Sequence, residues 1–110
     1  MSDSAPDVIN LYFAALNSRD RDGLLALFTP DAVVVDEGAT WRGTSEIRTW
    51  VGDVAFKFQY TAEVLGVEAA GEAAYVAYVR LEGNFPGGTV ELNVSFDVDG
   101  NQIRRLENAA

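Results

Sequence analysis

Residues 12–38 have the sequence YFAALNSRDRDGLLALFTPDAVVVDEG, which predicts two helices followed by a strand. In the first helix, expected from about residue 5 to 18, apolar residues recur every three or four positions and form one stripe. A shorter helix is expected over residues 21–28. Thr29-Pro30-Asp31 should end it, because proline disfavours the helical conformation of the residue before it. The valine-rich run at residues 32–36 then predicts a strand.

The sequence after this block predicts a third helix and then a meander of strands. In WRGTSEIRTW, residues 41–50, Thr44 is a suitable N-cap for a helix over residues 44–52, and Glu46 suits its first turn. The element order ααββαββββ, with helices first and strands later, predicts an α+β fold in which helices pack on one strongly curved antiparallel sheet. The four later strands are expected at residues 58–68, 72–83, 90–98 and 102–107.

Composition limits the classes of function. The 110 residues are 48% hydrophobic, which predicts one domain over residues 1–110 with its own core. Seventeen acidic and eight basic residues leave a net charge of −9, which disfavours nucleic acid and membrane surfaces as partners. Cysteine and histidine are both absent, which excludes thiol catalysis, His-metal sites and Ser-His-Asp triads. We therefore expect no metal.

The N-terminal residues and the hydropathy pattern bear on location. Residues 1–7 are acidic and lack the basic segment followed by an apolar one that a secretory signal has. Apolar runs stay far below the roughly 20 residues that a membrane span needs. The expected location is the cytoplasm.

The helix–helix–strand block, residues 12–38, and the segment 41–50 resemble the nuclear transport factor 2-like superfamily. Weaker similarity continues through EAAYVAYVRLEG, residues 72–83, and the hairpin from Phe96 to Ile103. Within the superfamily the chain looks like the Δ5-3-ketosteroid isomerases and the SnoaL-like polyketide cyclases. The resemblance implies a cone-shaped fold, with three N-terminal helices packed on a strongly curved mixed or antiparallel sheet.

The resemblance also implies site residues. Isomerases of this family use an Asp base, a Tyr donor and a second Asp that stays protonated. Tyr12, just before the ALN segment, matches the Tyr, and Asp36, at the end of the first strand, matches the base at the family's spacing. The second Asp lies two residues before a Phe; alignment on Phe96 puts Val94 there, which is a departure from the family pattern.

Two classes of function follow. The first is a cofactor-free proton-transfer isomerase, or a cyclase-like catalyst, acting on a small apolar carbonyl compound with Asp36 as base and Tyr12 as oxyanion donor. The second is a non-catalytic module that binds a small apolar ligand. Glu37 is a rival carboxylate, but strand alternation places it on the other face, towards solvent. The residues expected to contact the substrate are Leu16, Trp41, Trp50, Phe56, Phe58, Tyr78 and Val94.

The outer face of the predicted sheet suggests self-association. It carries Val, Leu and Tyr as well as charge, and proteins of this resemblance usually pair through that face. A large apolar patch left open would be unusual for a monomer. We expect a homodimer through the sheet face.

Overall fold

A computed structural model describes residues 6–109. The predicted start of the first helix at residue 5 and most of the N-terminal segment 1–7 lie outside this range. The helices are α1 (Asp7–Ser18), α2 (Arg21–Leu25) and α3 (Gly43–Trp50), and α3 continues into a π-helical turn (Val51–Ala55). The strands are β1 (Phe28–Asp36), β2 (Ala39–Arg42), β3 (Tyr60–Ala69), β4 (Ala74–Gly83), β5 (Thr89–Asp99) and β6 (Gln102–Ala109).

The strands form one curved six-stranded sheet in the order β2-β1-β6-β5-β4-β3. Within residues 6–109, neighbouring strands are antiparallel except for the pair β1 and β6, which is parallel. The sheet is therefore mixed, and the predicted α+β class and element order are confirmed.

The predictions around α2, β1 and the start of α3 were wrong. The second helix ends at Leu25, and β1 already begins at Phe28 and runs through Pro30. Proline is tolerated there because the pairing of β1 with β6 is irregular between Phe28 and Val33, so its missing N–H leaves no gap in the ladder. Thr44 is not the N-cap, because α3 begins one residue earlier, at Gly43. The side chain of Glu46 instead accepts a hydrogen bond from the backbone N–H of Arg42 at 2.7 Å.

The core lies between the helices and the inner face of the sheet. Buried side chains of α1, among them Val8, Ile9 and Phe13, join Ile47 and Trp50 of α3 against the buried residues of the sheet. In the part of the chain that the structure describes, no helix is long and apolar enough to cross a membrane. The same residues hold no cluster of acidic side chains suited to a metal ion.

Candidate functional site

An apolar cavity of about 510 Å³ opens between α1, the π-helical turn and the inner face of the sheet. Its size falls within the range of small-molecule sites, which are mostly apolar with a few placed polar groups. Within residues 6–109, five residues supply polar side chains to the wall: Tyr12, Asp36, Glu37, Tyr60 and Asn108. The apolar part of the wall consists of Phe13, Leu16, Trp50, Val54, Ala55, Phe58, Val79, Leu81, Phe85, Pro86, Val90, Leu92, Val94 and Ala109.

Tyr12 is held by an aromatic cluster. Its side chain is only 3% exposed, and its ring meets those of Phe13 and Phe96 edge to face, with centroids 5.0 and 5.4 Å away. Burial, followed by the nearby Tyr60 and Asp36, raises the pKa of Tyr12 well above its ordinary value. The phenol therefore stays protonated at neutral pH and remains a hydrogen-bond donor.

Asp36 ends β1 and is followed by the two-residue turn Glu37-Gly38, in which both residues have positive φ, 52° and 80°. Such a turn reverses the chain tightly into β2. The left-handed conformation raises the conformational free energy of a residue other than glycine by about 1–2 kcal/mol. Glu37 adopts this conformation here. The indole Nε1 of Trp50 donates to Oδ2 of Asp36 at 3.1 Å and orients the carboxylate. Among the described residues, Oδ1 receives no hydrogen bond.

Tyr60, at the start of β3, is a polar residue of the cavity that the sequence analysis missed. Its hydroxyl donates to the backbone carbonyl of Ala55, which ties β3 to the π-helical turn. Burial raises the pKa of Tyr60 to about 12, against the opposing effect of Arg19 and with a smaller rise from Asp36. The alternation of Tyr60 with the buried Ala62 was the available signal.

The strand register brings a second unpredicted polar residue, Asn108, to the same wall. The expected end of the last strand at residue 107 was wrong, because β6 extends to Ala109. Asn108 pairs with Val94 across β5 and β6 and lines the cavity. Its alternation with the buried Leu106 places it on the inner face.

The sequence of this chain matches a known domain family. Residues 9–106 match the family model of the SnoaL-like domain. The chain belongs to the SnoaL-like domain family. The predicted membership of the nuclear transport factor 2-like superfamily is confirmed.

Several solved structures have the same fold as this SnoaL-like domain. A candidate polyketide cyclase from Sinorhizobium meliloti is 38% identical, with a TM-score of 0.87 and 94% of each chain covered. A Catenulispora acidiphila protein with a ketosteroid isomerase-like fold, in complex with trimethylamine, is 19% identical, with a TM-score of 0.85 and coverage of 97% of this chain and 87% of its own. A Mycobacterium tuberculosis protein in complex with estradiol-17β-hemisuccinate is 16% identical, with a TM-score of 0.80 and coverage of 93% and 89%. The last two likenesses show the fold alone.

The structure brings six of the predicted site residues of this SnoaL-like domain together. The residues that reach the cavity are Tyr12, Leu16, Asp36, Trp50, Phe58 and Val94. Val94 is 2% exposed and adds no polar atom to the wall. Its neighbours Asn93 and Ser95 stay on the outer face, because the pairing of β4 with β5 is regular through this region.

Three predicted contact residues do not line the cavity. Trp41 packs against the core from the edge strand β2, one strand beyond Asp36. Phe56 lies under the guanidinium of Arg19, which is 4.8 Å from its ring centroid. Tyr78 lies on the outer face, 36% exposed, and its hydroxyl donates to Glu68 at 2.6 Å. An aromatic side chain therefore does not by itself predict that a residue lines the cavity.

Glu37 combines the predicted exposure with an unexpected position. Its side chain is exposed, as strand alternation indicated, yet it borders the cavity beside Asp36. The reason is that Glu37 belongs to the turn and not to the strand, so alternation no longer determines its direction.

Proposed function

We propose that this domain catalyses proton transfer on a small apolar carbonyl compound, with Asp36 as the base and Tyr12 as the oxyanion donor. The observation that carries the proposal is that these two side chains reach the same apolar cavity. General bases typically contribute about 10²–10⁴-fold to a rate. A placed oxyanion donor contributes about 10²–10³-fold.

The steps use only these side-chain groups. Oδ1 of Asp36 takes a proton from the carbon beside the carbonyl, and the electron pair of that C–H bond moves onto the carbonyl oxygen to give an enolate. The hydroxyl of Tyr12 donates a hydrogen bond to that oxygen. The protonated Asp36 then returns the proton to a different carbon, and the double bond moves accordingly. We propose that the reaction proceeds without a metal or cofactor.

The surroundings favour such a step. The indole of Trp50 holds Oδ2 of Asp36, so the free oxygen is presented in one orientation. The raised pKa of Tyr12 keeps its donor proton in place. The wall is mostly apolar, and a hydrogen bond to a developing charge is stronger in apolar surroundings than in water.

A cyclase-type reaction is the second candidate. The 38% identical Sinorhizobium meliloti protein, described as a candidate polyketide cyclase, favours it. Both reactions begin with the same proton abstraction; in ring closure the enolate carbon then attacks a second carbonyl of the same molecule. A non-catalytic ligand-binding domain is the remaining alternative, and the apolar Val94 favours that reading.

The first experiment follows a β,γ-unsaturated ketosteroid by the ultraviolet absorbance of the conjugated enone that forms. We expect a rate above buffer, and a loss of about 10²–10³-fold in a Tyr12→Phe variant, because the aromatic packing remains while the donor is removed. A Tyr75→Phe variant is the matched control, since Tyr75 does not line the cavity. Absence of turnover together with tight steroid binding would contradict the isomerase proposal and favour a binding domain.

A homodimer through the outer sheet face, in the cytoplasm, completes the proposal. That face carries charge together with an exposed aromatic ring: Arg80 lies among Glu63, Glu82 and Glu91, and Tyr78 is 36% exposed. Light scattering at micromolar concentration should give twice the 11.9 kDa of one chain. A Tyr78→Asp variant should shift the mass towards one chain, because it adds like charge to an acidic face. A single-chain mass for the unmodified protein would contradict the dimer.

A further inference from the structure

We propose that Asn108 is a second hydrogen-bond donor to the oxygen of the bound ligand, next to Asp36 and facing the same space as Tyr12. This inference deepens the proposed function and rests on it in placing the oxygen of a carbonyl compound in this cavity. It names a catalytic residue that neither the composition nor the family resemblance indicated.

Strand register puts Asn108 between two residues of the site. The parallel pairing of β1 with β6 aligns Val35 with Glu107, so Asp36 and Asn108 follow side by side. The antiparallel pairing of β6 with β5 aligns Asn108 with Val94. Paired strands lie about 4.8 Å apart. Asp36, Asn108 and Val94 therefore form one row across the inner face of the sheet.

A second row of aligned residues lies two positions earlier along β1 and β6. There Val34 aligns with Leu106, and Leu106 aligns with Phe96. All three are buried, with exposures of 0–1%. Since side chains two residues apart share a face, the row that contains Asn108 faces the same side as this core row. The amide thus borders the cavity because of register and not because of a local irregularity.

The amide of Asn108 is available to a ligand. The side chain is half-buried, and within residues 6–109 it makes no hydrogen bond. Its neighbour Glu107 points to the opposite face, where it pairs with Arg105 at 3.1 Å. The amide N–H can therefore donate to the oxygen of a ligand that enters the cavity.

Donor chemistry distinguishes Asn108 from the other two members of its row. Asp36 is an acceptor when ionised, and Val94 has no polar atom, so the amide N–H is the donor that this row supplies. Unlike a carboxylic acid, the amide donates at any pH. A hydrogen bond to an oxygen that gains negative charge strengthens as the charge develops. Asn108 and Tyr12 would then hold the same oxyanion from the sheet and from α1.

The test measures binding, not turnover. The probe is 4-nitrophenol, whose ionised oxygen resembles an enolate and has its own visible absorption band. It is titrated into Asp36→Asn protein, which removes the repelling carboxylate. We expect Asn108→Leu in that background to weaken 4-nitrophenolate binding about tenfold or more, as a lost hydrogen bond to a charged group does. Nitrobenzene, which lacks the phenol oxygen, should bind with little change.

Two further proteins serve as controls. Asn93→Leu, on the outer face of the adjacent strand, should leave phenolate affinity unchanged. Asn108→Ala, which introduces no extra volume, should reproduce the loss if Asn108→Leu does not fold. Equal weakening of both probes, unchanged phenolate affinity, or no phenolate binding by the Asp36→Asn protein would overturn the inference.

The outcome is separable from that of the proposed function. Ketosteroid turnover without a phenolate effect at Asn108 would support the proposed function and overturn this inference. A phenolate effect without turnover on any tested carbonyl compound would support the donor role of Asn108 and contradict the isomerase. Both results come from proteins of the same fold, which circular dichroism verifies.

Discussion

An Asp36→Asn variant should isomerise a β,γ-unsaturated ketosteroid about 10²–10⁴-fold more slowly than the unmodified protein. The amide has nearly the same shape as the carboxylate, and its oxygen can still accept the hydrogen bond that Trp50 donates at 3.1 Å. The substitution therefore removes the proton acceptor while it leaves the wall in place. The measurement is the initial rate of enone absorbance, together with the dissociation constant of a saturated ketosteroid.

Glu37→Gln provides the matched control for this prediction. Glu37 carries the carboxylate next to Asp36 and also borders the cavity. Unlike Asp36, it lies in the turn and is exposed to solvent. Its substitution removes one negative charge at almost the same place, so any general effect of charge appears in both variants. We expect little change in rate. A large loss in Glu37→Gln with little loss in Asp36→Asn would show that the base had been assigned to the wrong carboxylate.

A Phe96→Ala variant should lower the free energy of unfolding by about 3–5 kcal/mol, a large share of the roughly 5–15 kcal/mol that holds a domain folded. Phe96 is 1% exposed and meets Tyr12 and Phe13 edge to face, so its removal leaves a cavity beneath the proposed donor. The measurement is urea unfolding followed by circular dichroism. Because the Tyr12 ring loses its support, the ketosteroid rate should also fall.

Phe85→Ala is the control for that change. Phe85 lies between β4 and β5, is half-buried, and contacts Phe58 and Tyr60 at the edge of the cavity. The same chemical change there should cost much less stability, since a partly exposed ring has less buried surface to lose. Equal losses at both positions would contradict the prediction that the fully buried Phe96 contributes more to stability than the half-buried Phe85.

Helical and strand periodicity predicted most of the fold, because it is a local signal. The stripe in residues 8–16 marks the face of α1 that carries Tyr12, and the alternation in β5 places Val94 on the inner face. Local signals failed where tertiary contacts outweighed them. Residues 26–28 continue a helical pattern, yet β1 begins at Phe28, where it pairs with Ile103 of β6.

The sequence alone determined the α+β class, the family resemblance, and the positions of Tyr12 and Asp36. The class depends on local periodicity, whereas Tyr12 and Asp36 were predicted as site residues from the resemblance to the ketosteroid isomerases. Only the tertiary structure decided that Tyr60 lines the same cavity as Tyr12, that Tyr78 lies on the outer face, and that Asn108 stands between Asp36 and Val94. The physical reason is that the wall of the cavity is set by the register of strands distant in the chain. That register follows from how the whole sheet packs on the helices, which no local pattern records.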